Sequence, residues 1–130
     1  NSTNCYKNKN KKIMIKKIFK FIPVIIWMSV IFYFSSRSTT GIGGSSETNR
    51  FLILKSFHLI EYGILAILLL FATLNKKLTI FIAHLYAFSD EVHQYLVPGR
   101  TSRFRDTLID LLGILIGVFI FSKIFPQKKP

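Results

Sequence analysis

One short segment concentrates groups that could do chemistry. Asp90-Glu91-Val92-His93-Gln94 places two carboxylates, an imidazole and an amide within five residues. The segment ends an apolar run that is long enough to lie in a bilayer, where ionisable groups are costly. Such groups rarely occur in a membrane without a partner or a task. The segment is therefore a candidate functional site.

Two further segments carry polar residues at helical spacing. Lys55, His58 and Tyr62 are spaced i, i+3 and i+7, which puts them on one face of a helix, and Glu61 is close by. Farther along the chain, a second stripe is formed by Asp106, Asp110, Gly113 and Gly117. Its two glycines form a small-xxx-small pattern that lets another helix approach closely. We expect that contact to turn both aspartates away from lipid.

The rest of the sequence indicates the elements that must position these groups. Of the 130 residues, 50% are hydrophobic and 13 are Phe. The apolar residues fall into four runs, at residues 18–35, 51–74, 78–97 and 107–125. Each run approaches the ~20 residues with which a helix crosses about 30 Å of hydrocarbon. We predict an all-α, polytopic membrane protein with four transmembrane helices in a small up-down bundle.

The basic residues predict the orientation of this bundle. Lysines precede the first run, lie between the second and third runs, and follow the fourth, whereas arginines occupy the other two loops. By the positive-inside rule both termini are cytoplasmic. Basic residues that flank apolar runs in this way do not indicate nucleic-acid binding. In this orientation the polar groups of three helices reach one level in the outer leaflet.

The segment before the first run has a different character. Residues 1–13 are polar, rich in Asn and Lys and without periodicity, whereas Met14 opens a stretch that reads like a natural start. We expect residues 1–13 to be a disordered basic tail or an extension of the natural chain. We expect residues 126–130 to be a cytoplasmic tail. Cys5 is the single cysteine, so no disulfide framework or cysteine-rich metal site is predicted.

Three interpretations of the polar residues remain open. They could line a pocket for the charged or sugar-bearing head of an amphiphile, in which Arg100, with Arg103 and Arg105 nearby, would pair bidentately with phosphate or carboxylate. They could instead form a structural network that holds four short helices in register. The candidate binding residues are Lys55, His58, Glu61, Tyr62, Asp90, Glu91, His93, Gln94, Arg100, Asp106 and Asp110, with Gly113 and Gly117 assigned to helix packing.

The third interpretation is chemical. Two histidines and several carboxylates on facing helices could ligate a metal, or supply an acid–base pair for an intramembrane hydrolase or transferase acting on a lipid-linked substrate. The pattern is permissive, and no activated Ser or Cys nucleophile is evident. We therefore predict no confident metal site and no cofactor. The sequence does not decide whether the protein is an enzyme.

The same residues resemble a known family. Lys55-Ser-Phe-His58-Leu-Ile-Glu61-Tyr62, then Asp90-Glu91-Val-His93-Gln94 with Pro98-Gly99-Arg100, then Asp106 with Asp110 and Gly113, is similar to the VanZ-like family of bacterial membrane proteins. The resemblance covers nearly all of residues 14–125, which we expect to form one VanZ-like four-helix domain. Asp110 departs from the family pattern, which more often has Asn there.

The resemblance implies a role at the cell envelope. The namesake of the family is associated with reduced sensitivity to the glycopeptide teicoplanin, so this chain is expected to be associated with glycopeptide resistance. The expected partners are membrane lipids and, at the polar site, a lipid-linked cell-wall intermediate or a glycopeptide. Neither the identity of the ligand nor the oligomeric state follows from the sequence.

Overall fold

Five α-helices make up the fold in the computed structural model, which describes residues 2–42, 46–100 and 104–126. They are α1 (Ser2–Phe19), α2 (Ile22–Ser35), α3 (Glu47–Thr73), α4 (Lys76–Tyr95) and α5 (Thr107–Ile124). A short 3-10 turn, Phe104–Asp106, leads into α5. The described residues contain no strand, so the predicted all-α class is confirmed.

Three helical segments are long and apolar enough to cross a bilayer. They are Asn10–Ser35, Glu47–Thr73 and Thr107–Ile124. Of the four predicted spans, three therefore have helices that are long and apolar enough to cross a membrane. The run at residues 78–97 forms α4, which does not reach the same hydropathy because it carries Thr79, Asp90, Glu91 and Gln94 on its buried side.

The N-terminal segment is helical where the sequence suggests a tail or an extension. Helix α1 includes residues 2–13. This segment contains neither Pro nor Gly and is rich in Lys, which is a good helix former, so a helix is compatible with its composition. After α1 ends at Phe19, α2 begins at Ile22 with Pro23 in its first turn, where the missing N–H has no intrahelical partner to lose.

Capping residues fix the ends of α3 and α4. The Ser46 hydroxyl accepts a hydrogen bond from the Asn49 N–H at 3.3 Å at the start of α3, and Glu47 lies in its first turn. At the other end Leu74 adopts a left-handed conformation with φ 53°. The Asn75 side chain then caps α4 by accepting from the Leu78 N–H at 3.1 Å. This short connection makes α3 and α4 antiparallel neighbours.

Helices α3 and α5 approach each other through glycines. A Cβ atom on Gly113 would clash with the carbonyl oxygen of Leu59, and one on Gly117 would clash with that of Gly63. A Cβ on Gly63 would itself lie 3.4 Å from the Gly113 carbonyl oxygen. The two backbones therefore touch with no side chain between them, which is the geometry that small residues permit in membrane helices. This contact turns Asp106 and Asp110 inward, and both are buried.

Helix α2 joins the bundle through side-chain contacts. The Trp27 indole N–H donates to the Glu61 carbonyl oxygen on α3 at 2.9 Å, and the Tyr86 hydroxyl on α4 donates to the Met28 carbonyl oxygen at 2.7 Å. The core between the helices is small and apolar. It is formed by Val24, Ile31, Tyr62, Leu65, Ala66, Leu69, Leu70, Ala83, Ala87, Ile114, Val118 and Phe121.

Candidate binding site

The polar residues gather at one end of the bundle. The C-terminal end of α2, the first half of α3, the last turns of α4 and the start of α5 meet there. We call the group at this end, whose members are buried except for the half-buried Lys55 and Arg100, the polar cluster. It consists of Lys55, His58, Tyr62, Asp90, Glu91, Gln94, Arg100, Asp106 and Asp110.

Lys55 connects α3 to the start of α5. Its Nζ lies 2.6 Å from Asp106 Oδ2 and 3.7 Å from Glu91 Oε1 on α4. The Lys55 side chain is only 12% exposed. Burying a charge is tolerated when it is closely paired. Lys55 and Asp106 therefore form the closest ion pair of the cluster among the described residues.

His58 lies between a cation and a carboxylate. Its Nε2 is 3.3 Å from Arg100 Nη2, and its Nδ1 is 3.2 Å from Asp110 Oδ1. Arginine can only donate, so Nε2 must be the acceptor and a neutral His58 carries its proton on Nδ1. The ring also stacks near Tyr62, with 6.1 Å between centroids.

Asp90 receives hydrogen bonds from neutral donors. The Tyr62 hydroxyl donates to Asp90 Oδ2 at 3.1 Å, and the Gln94 amide, one turn further along α4, donates to the same oxygen at 2.7 Å. Tyr62 and Gln94 are both buried. These hydrogen bonds connect α3 to α4, and they use Tyr62 and Gln94 as partners of Asp90 within the protein.

Arg100 closes the C-terminal end of α2. Its Nη1 donates to the carbonyl oxygens of Phe34 at 2.9 Å and Ser35 at 2.8 Å. A cation at this position interacts favourably with the helix dipole and with carbonyls that have no intrahelical partner. Burial lowers the pKa of the Arg100 guanidinium, and the neighbouring carboxylates of Asp90, Glu91 and Glu61 act in the opposite direction. Arg100 is thus largely occupied by the protein itself.

Gly99 places Arg100 in this position. Its φ is +80°, which is in the left-handed region, and a Cβ there would lie 2.6 Å from Ser38 Oγ and 2.9 Å from Thr40 Cγ2. Both the conformation and the close packing require glycine. The Pro98-Gly99-Arg100 turn therefore packs closely against the loop that follows α2 and places the guanidinium at the end of that helix.

Two adjoining cavities open beside the cluster. The polar cavity, about 320 Å³, is lined by Thr39, Glu47, Thr48, Arg50, Phe51, Leu54, Lys55, His58, Gln94, Arg100 and Asp106. The aromatic-rimmed cavity, about 290 Å³, is lined by Phe34, Ser35, Arg37, Ser38, Thr39, Ile42, Leu54, Phe57, His58, Glu61 and Arg100. The two share Thr39, Leu54, His58 and Arg100 as walls.

A family model matches most of the chain, including the helices that contribute to the polar cluster. The model for VanZ/LLP1 matches residues 19–125. The chain belongs to the VanZ/LLP1 family. No curated protein and no solved structure shows significant similarity to the chain.

Family membership and the apolar helices agree on the class of protein. The matched residues of this VanZ/LLP1 chain include all three apolar segments except the N-terminal part of the first, and they include the whole polar cluster. The protein is a multi-pass membrane protein of this family.

Some residues assigned to the site from the sequence lie elsewhere in the VanZ/LLP1 fold. His93 faces α2: its Nε2 lies 3.1 Å from Ser36 Oγ, and its ring stacks on Phe32 at 4.6 Å. Glu61 is half-buried and lines the aromatic-rimmed cavity beside the cluster. Arg105 is exposed, and Arg103 lies outside the described residues.

Arg50 is a site residue that the sequence reasoning missed. Its Nη2 donates to Thr39 Oγ1 at 2.8 Å and to the Gly99 carbonyl oxygen at 2.7 Å, so it joins the loops at this end of the bundle. Its Nη1 lies 3.9 Å from the exposed carboxylate of Glu47. Its spacing from His58 could have identified it, because Arg50, Leu54 and His58 fall at i, i+4 and i+8 on one face of α3.

Proposed function

We propose that this VanZ/LLP1 protein binds the anionic head group of a cell-envelope amphiphile, and that this binding underlies an association with reduced sensitivity to teicoplanin-type glycopeptides. The observation that carries the proposal is the pair of adjoining cavities. One has charged walls and the other has an apolar rim, and they share His58 and Arg100. An amphiphile needs such a pair of neighbouring environments.

The polar cavity supplies cations for an anionic head. Arg50, Lys55 and Arg100 all line it. Arg100 donates mainly to backbone carbonyls and Lys55 is paired with Asp106, so Arg50 is the best candidate for contact with a ligand, because its Nη1 lies 3.9 Å from the exposed Glu47 carboxylate, beyond hydrogen-bond distance. A guanidinium donor suits phosphate or carboxylate oxygens.

The aromatic-rimmed cavity suits the apolar part of the same molecule. Phe34 on α2 and Phe57 on α3 line it and are 55% and 59% exposed. In a membrane, exposed aromatics of this kind face acyl chains. A lipid-linked cell-wall intermediate or a lipid-bearing glycopeptide has this combination of an anionic or sugar-bearing head and an apolar chain.

The location of the site follows from the proposed topology. We place α4 as a fourth span, with both termini cytoplasmic and the polar cluster in the outer leaflet. In support, the exposed side of α4 carries a lipid-compatible stripe at helical spacing, formed by Leu78, Phe81, Leu85, Phe88 and Val92. Helix α4 therefore has its apolar residues outside and its polar residues inside, as a helix in lipid requires.

Teicoplanin sensitivity of cells that express single variants tests the proposal. Arg50→Lys keeps a positive charge but loses the guanidinium fork, so we expect it to remove most of the protection at an unchanged level of protein in the membrane. Arg105→Lys is the matched control, because Arg105 is exposed and lines neither cavity. It should keep wild-type protection.

The other outcomes separate the alternatives. Full protection by Arg50→Lys would reject the head-group site. A loss of protection that follows a lower protein level in the membrane would favour a purely structural role. Loss in His58→Gln together with full protection in Arg50→Lys, both at normal levels, would favour catalysis, because an amide cannot titrate near neutral pH.

A further inference from the structure

Three helices of the bundle each contribute one metal-binding side chain to a common point. These are His58 on α3, Glu91 on α4 and Asp110 on α5, and one ligand atom from each lies within 4.8 Å of the others. All three residues are buried, with relative exposures of 4%, 2% and 1%. An imidazole and two carboxylates in one buried place form a donor set that suits a divalent cation.

Asp110 lacks the hydrogen bonds that a buried carboxylate needs. Neither of its carboxylate oxygens has a hydrogen-bond partner among the described residues. His58 Nδ1 lies 3.2 Å from Asp110 Oδ1, but it is also without a hydrogen bond, because the two groups are not aligned for one. Leaving such groups without partners costs about 1–3 kcal/mol each, and more when they are charged. Both Asp110 oxygens therefore have no protein donor in the part of the chain described, and His58 Nδ1 would offer them a shared cation once its proton moved to Nε2.

The nearby basic side chains of Lys55 and Arg100 do not form ion pairs with the Asp110 carboxylate. Lys55 is closer to Asp106, at 2.6 Å, than to Glu91, at 3.7 Å. Arg100 contacts His58 on its other ring nitrogen and otherwise donates to backbone carbonyls. No described Lys or Arg forms an ion pair with Asp110. A divalent cation would neutralise the two carboxylates of Glu91 and Asp110 together.

We propose that His58, Glu91 and Asp110 bind one divalent transition-metal cation of the Zn²⁺ or Mn²⁺ type. One nitrogen and two oxygen ligands suit these ions better than Mg²⁺ or Ca²⁺, which prefer oxygen ligands alone. Ligands about 2.0–2.2 Å from an ion lie roughly 3–3.5 Å from each other, and the 3.2 Å between His58 and Asp110 falls in this range. The proposal does not depend on the head-group site, with which it shares only His58.

Binding of the proposed ion affects Arg100 through the His58 ring, whose Nδ1 faces the ion site and whose Nε2 faces Arg100. With Arg100 Nη2 at 3.3 Å from Nε2, the proton of a neutral His58 must be on Nδ1. Coordination through Nδ1 moves this proton to Nε2, which can then no longer accept from Arg100. Loading the cation therefore releases one hydrogen bond of Arg100, and removing the guanidinium should favour loading.

Metal binding by the purified full-length protein in detergent tests the site. After incubation with Mn²⁺ or with Zn²⁺ and removal of free metal, we expect about one equivalent per chain. Asp110→Asn should weaken binding by more than about 100-fold, which exceeds the roughly 10–100-fold effect of changes outside the ligand shell. Asp90→Asn is the matched control, since it removes the charge of another buried carboxylate that is not a proposed ligand and whose Oδ2 already accepts from Tyr62 and Gln94. It should retain the metal, and Arg100→Met should bind it more tightly.

A second measurement needs only the wild-type protein and so does not depend on the folding of a variant. Pulsed electron paramagnetic resonance of bound Mn²⁺ should show coupling to one imidazole nitrogen. Absence of metal binding by the wild-type protein, absence of the nitrogen coupling, or equal loss in Asp90→Asn and Asp110→Asn would overturn the proposal. Because Arg50 is not a ligand, Arg50→Lys should keep the metal even when it loses teicoplanin protection, so the two proposals can fail separately.

Discussion

Single charged residues in this protein are stabilised mainly by other parts of the protein. Lys55 pairs with Asp106 and lies near Glu91, Arg100 donates to the end of α2, and Asp90 accepts from Tyr62 and Gln94. The distance of each residue from the end of its apolar run, read from the sequence, is enough to predict that Lys55, His58 and Asp106 lie at one level of the bundle. The direction of His93 is not predictable in this way, because it depends on where α2 packs against α4.

The Lys55–Asp106 ion pair should contribute more to the free energy of unfolding than an exposed ion pair does. We expect Lys55→Met to destabilise the protein by about 3 kcal/mol, because it leaves Asp106 buried without its cation. Adding Asp106→Leu should restore part of this loss, whereas Lys77→Met, at an exposed position, should change stability by less than about 0.5 kcal/mol. Unfolding in detergent, followed for both single variants and the double variant, measures the coupling. Strictly additive losses would show that the two residues do not interact.

Individual helices differ in how much of their role can be read from the sequence. The segments that contain α2, α3 and α5 have a high mean hydropathy, in α3 despite Lys55, His58 and Glu61, so composition is sufficient to find them. Helix α4 is amphipathic and directs its polar side into the bundle. Its mean hydropathy is therefore low even though its outward-facing side is apolar. The glycines of α5 predict a close helix contact, but the partner is not specified by the sequence. It is α3, where Gly63 completes the contact.

Substitution of Gly117 tests this contact between elements. Gly117→Ala places a methyl group against the Gly63 carbonyl oxygen, and we expect a loss of about 1–3 kcal/mol from overpacking. Leu115→Ala changes an exposed residue of the same helix and should have little effect in a micelle. The midpoint of thermal unfolding in detergent compares the two. Wild-type stability of Gly117→Ala would mean that α3 and α5 are not in backbone contact.

At the scale of the whole molecule, the proposed topology places the two ends of the bundle on opposite sides of the membrane. Asn49 lies near the polar cluster and Lys77 near the α3–α4 connection, and both are exposed. In a chain with Cys5→Ser, a membrane-impermeant thiol reagent added to intact cells should label Asn49→Cys but not Lys77→Cys. Permeabilised cells should label both, which controls for reactivity. The reverse pattern in intact cells would place the site on the cytoplasmic side.

The glycine contact also divides the molecule into parts of unequal stiffness. Helices α3 and α5 touch through their backbones, so neither can move toward the other, and no flexible side chain lies between them to absorb a shift. Helix α2 is attached differently, by the Trp27 and Tyr86 hydrogen bonds and by the Arg100 contacts at its C-terminal end. Both cavities border on the loop after α2 through Thr39. If the proposed amphiphile enters sideways from the bilayer, we expect α2 to be the wall that it displaces, because α2 is held by side-chain hydrogen bonds and not by backbone contact, and we expect movement of α2 to limit the rate of binding and release.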